Sequence, residues 1–243
     1  MAKGQKALTH RQTEQATMNS QMGLAQLWAQ GDFVTRAVAI VLLLMSLASW
    51  TVIVLKSLDL MRYRKMAPAA QALWSQSDPQ RALAALGAQA DNPYALMAER
   101  GRRARAHLAA GTAQASAIDM NDWITRNLRQ VIDEFTARLQ SGLAVLASVG
   151  STAPFIGLFG TVWGIYHALV AIGATGQATI DKVAGPVGEA LVMTAFGLIV
   201  AIPAVLGYNA LVRGNKALLQ PLNRFAHDLH AHLLTGSRVS ERD

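Results

Sequence analysis

The sequence predicts an all-α integral membrane protein with three transmembrane helices and long helices that extend from them into the cytoplasm. Three observations lead there. Of 243 residues, 52% are apolar and only 15% are charged, a balance that a water-soluble domain of this size seldom shows. The charged residues leave three long runs without any Asp, Glu, Lys or Arg: 37–55, 139–180 and 190–212. The segments outside those runs carry apolar residues at helical rather than strand spacing.

The first run is nineteen residues of mostly Val, Ile and Leu. As a helix it rises about 28 Å, enough for a hydrocarbon core. Trp28 and Trp50 lie toward its two ends, where indoles favour the interface. The forty-two residues of the second run are too many for one crossing and too apolar for an ordinary loop, so they hold one long helix and a turn. The third run, of twenty-three, suffices for a crossing. The first thirty residues are polar and Gln-rich, which does not fit a cleaved signal peptide, and the first span is expected to act as an uncleaved anchor.

Arg36 alone closely precedes the first span, whereas Lys56, Arg62, Arg64 and Lys65 follow it. Positive charge stays inside, so the N-terminus is expected outside and the C-terminus in the cytoplasm. Arg126, Arg129 and Arg138 before the second span agree, as do Arg213, Lys216 and Arg224 after the third. The expected division is an external segment 1–33, a first span 34–56, a cytoplasmic helical region 57–138, a second span with its lead-in 139–172, an external hairpin 173–185, a third span 186–212 and a cytoplasmic tail helix 213–243. The net charge of +7 is then largely topological, and without Cys there is no disulfide or thiolate metal site.

Ser77-Asp78-Pro79 and Asp91-Asn92-Pro93 each set a capping side chain before a proline, the signature of a helix start. The second of these helices carries Leu96, Met97 and Leu108 and ends near Gly111. Ile124, Leu128, Val131, Ile132, Phe135 and Leu139 form an apolar stripe that leads into the second span, predicting one continuous helix. Arg100, Arg102, Arg103 and Arg105 have no aromatic interleaving, so the run reads as a solvated or lipid-attracted face and not as a nucleic-acid site. His227, His230 and His232 sit in an amphipathic tail with Leu222, Phe225, Leu229 and Leu233, and lack the carboxylate support usual for a metal.

Within the spans, Gly150, Gly157, Gly160 and Gly164 share one helical face, and Ala190, Thr194, Gly197, Ala201 and Ala204 form another. Such faces let helices approach closely, within a chain or between subunits. Thr161 and Thr194 are equidistant from the middle of the connecting hairpin, between Gln177 and Ala178, so antiparallel helices bring them to one depth. A threonine pair there either lines a polar lumen or bonds to helix carbonyls within the packing. Glu189 is the carboxylate nearest an apolar stretch, level with Tyr166 and His167 as candidate partners. An ionisable group in that position is a functional candidate, with interfacial capping as the alternative. Pro154 and Pro203 are candidate kinks whose freed carbonyls must find other donors.

Three ordered stretches carry a resemblance. Pro154-Phe155-Ile156-Gly157-Leu158-Phe159-Gly160-Thr161-Val162-Trp163-Gly164-Ile165, then Ala184-Gly185-Pro186-Val187-Gly188-Glu189-Ala190-Leu191, then Ala201-Ile202-Pro203-Ala204-Val205 together resemble the ExbB and TolQ proton-channel family. Asn209 also fits, and residues 140–215 match closely. The resemblance implies a homo-oligomer, a pentamer, whose second and third spans line a pore. That pore encloses single spans of an ExbD-like subunit carrying a titrating aspartate, and the complex drives a TonB-like energy transducer. On this analogy Thr161 and Thr194 face the lumen and Glu189 stands at a sensitive point at the start of the third span. Tyr166 and His167 lie where the family varies, so the branch stays open, with an ExbB-type motor as the first reading and a TolQ-type envelope motor as the near alternative. A MotA-type stator has a fourth span, which is missing from this pattern.

The residues alone require a partner too. One charge crossing about 100 mV yields about 2.3 kcal/mol, and its use needs a protonation site that gates motion. No span of this chain carries a mid-depth carboxylate. No enzymatic nucleophile, phosphate loop or cofactor motif is visible, so neither an enzyme nor a cofactor is expected. A self-contained channel is the remaining alternative of a different class.

Overall fold

A computed structural model describes residues 32–72, 92–110, 117–175 and 180–235. Five helices make up these residues: α1 Phe33–Ala72, α2 Pro93–Ala110, α3 Ala117–Gln140, α4 Leu143–Thr175 and α5 Ile180–Thr235. No strand occurs among the described residues. Trp28, the Ser77-Asp78-Pro79 start, the Gly111 stop and the middle of the hairpin fall outside them. Three stretches are long and apolar enough to cross a membrane: Phe33–Pro68, one within Met120–Ala174 and one within Val187–Thr235, with mean hydropathies of 2.6, 1.7 and 2.3. The chain is a multi-pass membrane protein.

Two compact units divide the chain, one from Met1–Trp50 with Val145–Leu206, the other from Thr51–Ala144 with Gly207–Asp243. The second has the more familiar core. Asn92 caps α2 by accepting from the Tyr94 amide on its Oδ1 at 3.0 Å, and Pro93 occupies the first helical position, where a missing N–H costs nothing. Along α3 the predicted stripe is buried at Ile124, Leu128, Val131, Phe135 and Leu139. It joins Met97 of α2 and Leu218, Leu222, Phe225, Leu229 and Leu233 of α5 in one cluster. Edge-to-face ring pairs, Tyr63 on Phe135 at 4.9 Å and Tyr94 on Phe225 at 5.2 Å, fill its corners. Burial pushes the Tyr94 hydroxyl up to about 12.

Most of the basic run on α2 is engaged locally. Arg100 donates to both oxygens of Glu134 at 2.9 and 2.8 Å, joining α2 to α3. Arg102 and Arg103 both donate to Glu99. These pairs hold the Glu99 and Glu134 carboxyls below the usual carboxylate range. In the tail, His230 Nε2 lies 2.8 Å from Asn121 Oδ1 and 3.2 Å from Thr125 Oγ1, so this ring ties α5 to α3.

The predicted continuous helix from the amphipathic stripe into the second span is broken. Between α3 and α4, Ser141 and Gly142 form a turn, with Gly142 at a φ of 82° that only glycine adopts without strain. The turn deprives carbonyls at the end of α3 of their helical donors. Ser141 Oγ donates to the Arg138 carbonyl at 2.9 Å, and two side chains distant in sequence add to it. Lys56 Nζ donates to the Arg138 carbonyl at 2.8 Å and to Ser141 Oγ at 2.9 Å, and buried Asn215 Nδ2 donates to the Leu139 carbonyl at 3.0 Å.

Candidate functional site: a glycine crossing and a threonine pair

The first unit packs through its smallest residues. A Cβ on Gly157 would stand 2.6 Å from the Met193 carbonyl oxygen and 3.0 Å from the Gly197 Cα; one on Gly197 would stand 2.6 Å from the Ala153 carbonyl oxygen. Here α4 and α5 touch backbone to backbone, and the glycine Cα–H groups face carbonyls across the crossing. Gly164 meets Ala190 and Gly150 meets Val205, so each step along α4 is matched by an opposite step along α5. Gly160 turns toward Met193 and also toward Val38 of α1. Pro154 and Pro203 lie within α4 and α5, and both helices continue through them.

That antiparallel register brings Thr161 and Thr194 together. Their hydroxyl oxygens are 2.5 Å apart, and Thr161 Oγ1 is also 3.2 Å from both the Gly157 and the Ala190 carbonyl oxygens. A hydroxyl has one proton, so the consistent arrangement is that Thr194 donates to Thr161 and Thr161 donates to the carbonyls. Thr161 is buried, while Thr194 keeps part of its surface open. Thr161 is thus bonded within the packing, and Thr194 is the more accessible member of the pair.

Glu189 is half-buried one residue before Ala190. Among the described residues no hydrogen bond or ion pair joins it to Tyr166 or His167. His167 points elsewhere: its Nε2 lies 3.7 Å from Asp32 Oδ2, which also accepts from Trp163 Nε1 at 3.1 Å. Asp32 Oδ1 accepts in turn from the Phe33 amide at 2.6 Å, so one carboxylate starts α1 and fastens it to α4. The indole bond, then the amide bond, hold the Asp32 carboxyl below its usual range. An acidic residue just ahead of an apolar run is a helix-start signal that would have singled out Asp32. Nothing in the sequence announces its contact with Trp163.

Large apolar side chains cover the outside of this unit: Phe155, Phe159, Val162, Leu191, Ile199 and Leu206 are all more than half exposed. A polar hydroxyl pair inside and apolar bulk outside suit a helix pair surrounded by hydrocarbon, and the pair itself has no group that stores a proton near neutral pH.

Residues 95–224 match the family model described as the MotA/TolQ/ExbB proton channel family. The chain is 44% identical over 232 residues, 90% of its length and 92% of the relative's, to the biopolymer transport protein ExbB of Xanthomonas campestris pv. campestris. It is 43% identical over 219 residues to the ExbB of Neisseria meningitidis serogroup A, covering 88% of this chain and 98% of that one. The Tol-Pal system protein TolQ of Haemophilus influenzae is 30% identical over 222 residues, 86% of this chain and 92% of that one.

Proposed function

Since the chain belongs to the MotA/TolQ/ExbB proton channel family, we propose that it is the ExbB-type wall subunit of a proton-driven stator. The observation that carries this reading is identity of 43–44% to ExbB proteins over nearly the whole chain. In this reading five copies surround a pore in the bacterial inner membrane, with N-termini outside and C-termini in the cytoplasm. The exposed faces bearing Phe155, Val162, Ile199 and Leu206 meet neighbouring copies, lipid or a partner span. The titrating acid comes from a single-span ExbD-like subunit, and the work is passed to a TonB-like protein that energises uptake across the outer membrane, of which iron-siderophore cargo is an example.

In the same reading the Thr161–Thr194 pair lies on the proton route. Thr194 offers a hydroxyl toward the lumen, and Thr161 fixes its orientation by way of the Gly157 and Ala190 carbonyls. Glu189, half-buried at the outer part of α5, modulates that route. Gly150, Gly157, Gly160, Gly164 and Gly197 hold the wall at the spacing the route needs, and the carbonyls released at Pro154 and Pro203 supply further acceptors along it.

Replacing both hydroxyls in T161V/T194V keeps side-chain volume. The expected result is a normally abundant, normally assembled complex that no longer supports energised uptake. Undiminished uptake overturns the hydroxyl role, and loss of the assembled protein instead assigns the pair to packing alone. A TolQ-type role is the second reading, favoured by the 30% identity to TolQ. Gentle extraction of the tagged chain and mass spectrometry of its companions separates the two: ExbD-like and TonB-like proteins support the first, TolR-like proteins the second. An oligomer lacking any single-span acidic companion overturns both, in favour of a self-contained channel.

A further inference from the structure

The break between α3 and α4 opens onto a cleft of about 210 Å³, lined by Lys56, Asp59, Tyr63, Arg138, Leu139, Ser141 and Asn215. A water molecule's share of liquid volume is about 30 Å³, so the cleft has room for a small polar group. Its position along the chain is informative. Lys56 ends the first charge-free run, Arg138 immediately precedes the second, and Asn215 lies just past the third. All three helices that build the cleft therefore change there from hydrocarbon-compatible to water-compatible sequence, which is the depth of lipid headgroups.

The charges in the cleft are of both signs. Lys56 is largely enclosed, with its ammonium bonded to the Arg138 carbonyl and Ser141 Oγ. Arg138 contributes its backbone carbonyl to the Lys56 contact, and its exposed guanidinium also acts electrostatically on Glu134, one turn earlier on α3. Asp59 is half exposed, and its carboxylate is 4.0 Å from Lys56, too far for a hydrogen bond. The lining thus includes two basic residues, Lys56 and Arg138, and a half-exposed carboxylate beside the Lys56 ammonium.

We propose that this cleft binds the headgroup of an ethanolamine phospholipid. The phosphodiester lies against Arg138 and the Lys56 ammonium, and the primary amine, two methylenes away, reaches the Asp59 carboxylate. A phosphoglycerol headgroup satisfies the cations but leaves Asp59 facing a neutral diol. A phosphocholine headgroup brings a quaternary ammonium that cannot donate a hydrogen bond. The bound headgroup would fill the opening left by the Ser141–Gly142 turn and join three helices at the membrane boundary.

The test uses the purified full-length chain in detergent, stripped of lipid and offered equal amounts of phosphatidylethanolamine, phosphatidylglycerol and phosphatidylcholine with the same acyl chains. Native mass spectrometry reads what stays bound. The ethanolamine lipid should be retained over each of the others by about threefold, the discrimination that one partly exposed charged contact gives. D59N should abolish that preference without reducing total phospholipid retained, and R138Q should reduce retention of all three. Neither change removes the Arg138 carbonyl or the Lys56 side chain, and unchanged thermal melts confirm that the break is still capped. Equal retention of the three lipids by the unaltered chain, a preference for phosphatidylglycerol, or retention that neither substitution alters overturns the proposal.

Discussion

In the unit drawn from Met1–Trp50 and Val145–Leu206, the closest helix contact is made by Gly157 and Gly197, while Phe155 is 70% exposed and Ile199 63%. The first unit also seals Leu42, Leu146 and Met193, but in the other unit a larger apolar cluster carries the packing. Met97, Ile124, Leu222 and Leu229 are sealed inside, and Glu99, Arg102, Arg103 and Arg126 face out. Both units are made of the same kind of helix, so secondary structure does not explain the difference. The surrounding medium does. Where water is outside, burying large apolar side chains is the main stabilising term. Where hydrocarbon is outside, a large apolar side chain gains little by moving inward, and close backbone approach with satisfied polar groups decides the packing.

On that contrast, truncating the same kind of side chain should have unequal consequences in the two units. Leu222→Ala empties a fully buried position in the core cluster and should destabilise by about 2–5 kcal/mol. Phe155→Ala removes a larger group, yet one that is mostly exposed, and should leave the melting temperature of the isolated chain in detergent close to unchanged. Thermal melts followed by circular dichroism compare the two. A large loss from the Phe155 change in the isolated chain would break the contrast, because it would place that ring in an apolar core.

Adding a methyl group should sharpen the comparison from the other side. Gly157→Ala puts a Cβ against backbone atoms of α5 that cannot swing away, so the helices must separate, at a cost of about 1–3 kcal/mol or more. Gly173, near the end of the same helix, has nothing within 4 Å of an added Cβ. Gly173→Ala should be neutral or favour the helix by up to about 1 kcal/mol. Unfolding titrations of both variants in one detergent provide the readout, and equal effects would mean that the crossing is looser than the glycine contacts imply.

The sequence exposes these features unevenly, for physical reasons. Three spans are legible because charge is excluded from hydrocarbon, and the Thr161–Thr194 pairing follows from counting back from a hairpin when two helices run without offset. The stripe on α3 and the Asn92 cap are local, so periodicity and capping chemistry display them. The break at Ser141–Gly142 is hidden, because apolar periodicity continues across it; the Ser-Gly dipeptide was its one local mark. The groups that cap the break, Lys56 and Asn215, lie 82 and 76 residues from the carbonyls they serve. Counting along the chain gave the depth of Glu189 but not its partners, since a level on a helix does not specify an azimuth. His167 and Trp163 therefore turned out to face Asp32.

The smallest expected effect concerns the charged surface of the second unit. Arg100 joins α2 to α3 through Glu134, which also accepts from Gln130 Nε2 at 3.0 Å. The Arg100 hydrogen bonds are the main reason that the Glu134 carboxyl lies below its ordinary value of 4.5. A depressed carboxyl favours the folded state when ionised, so its contribution is complete above the unfolded value and disappears as pH falls through the folded one. The unaltered chain should melt slightly higher than Glu134→Gln at about pH 7, and the gap should close on acidification below the ordinary carboxylate value. Because both partners are partly exposed, added salt should narrow the same gap. Among the described residues the first unit has no counterpart to this pair along the α4–α5 crossing, where hydroxyls and backbone make the contacts, so T161V/T194V should shift its melt by the same amount at both pH values. A gap for Glu134→Gln that stays constant through acid, or a pH-dependent one for the threonine pair, would show that the charged and uncharged regions are not divided as the helix contacts indicate.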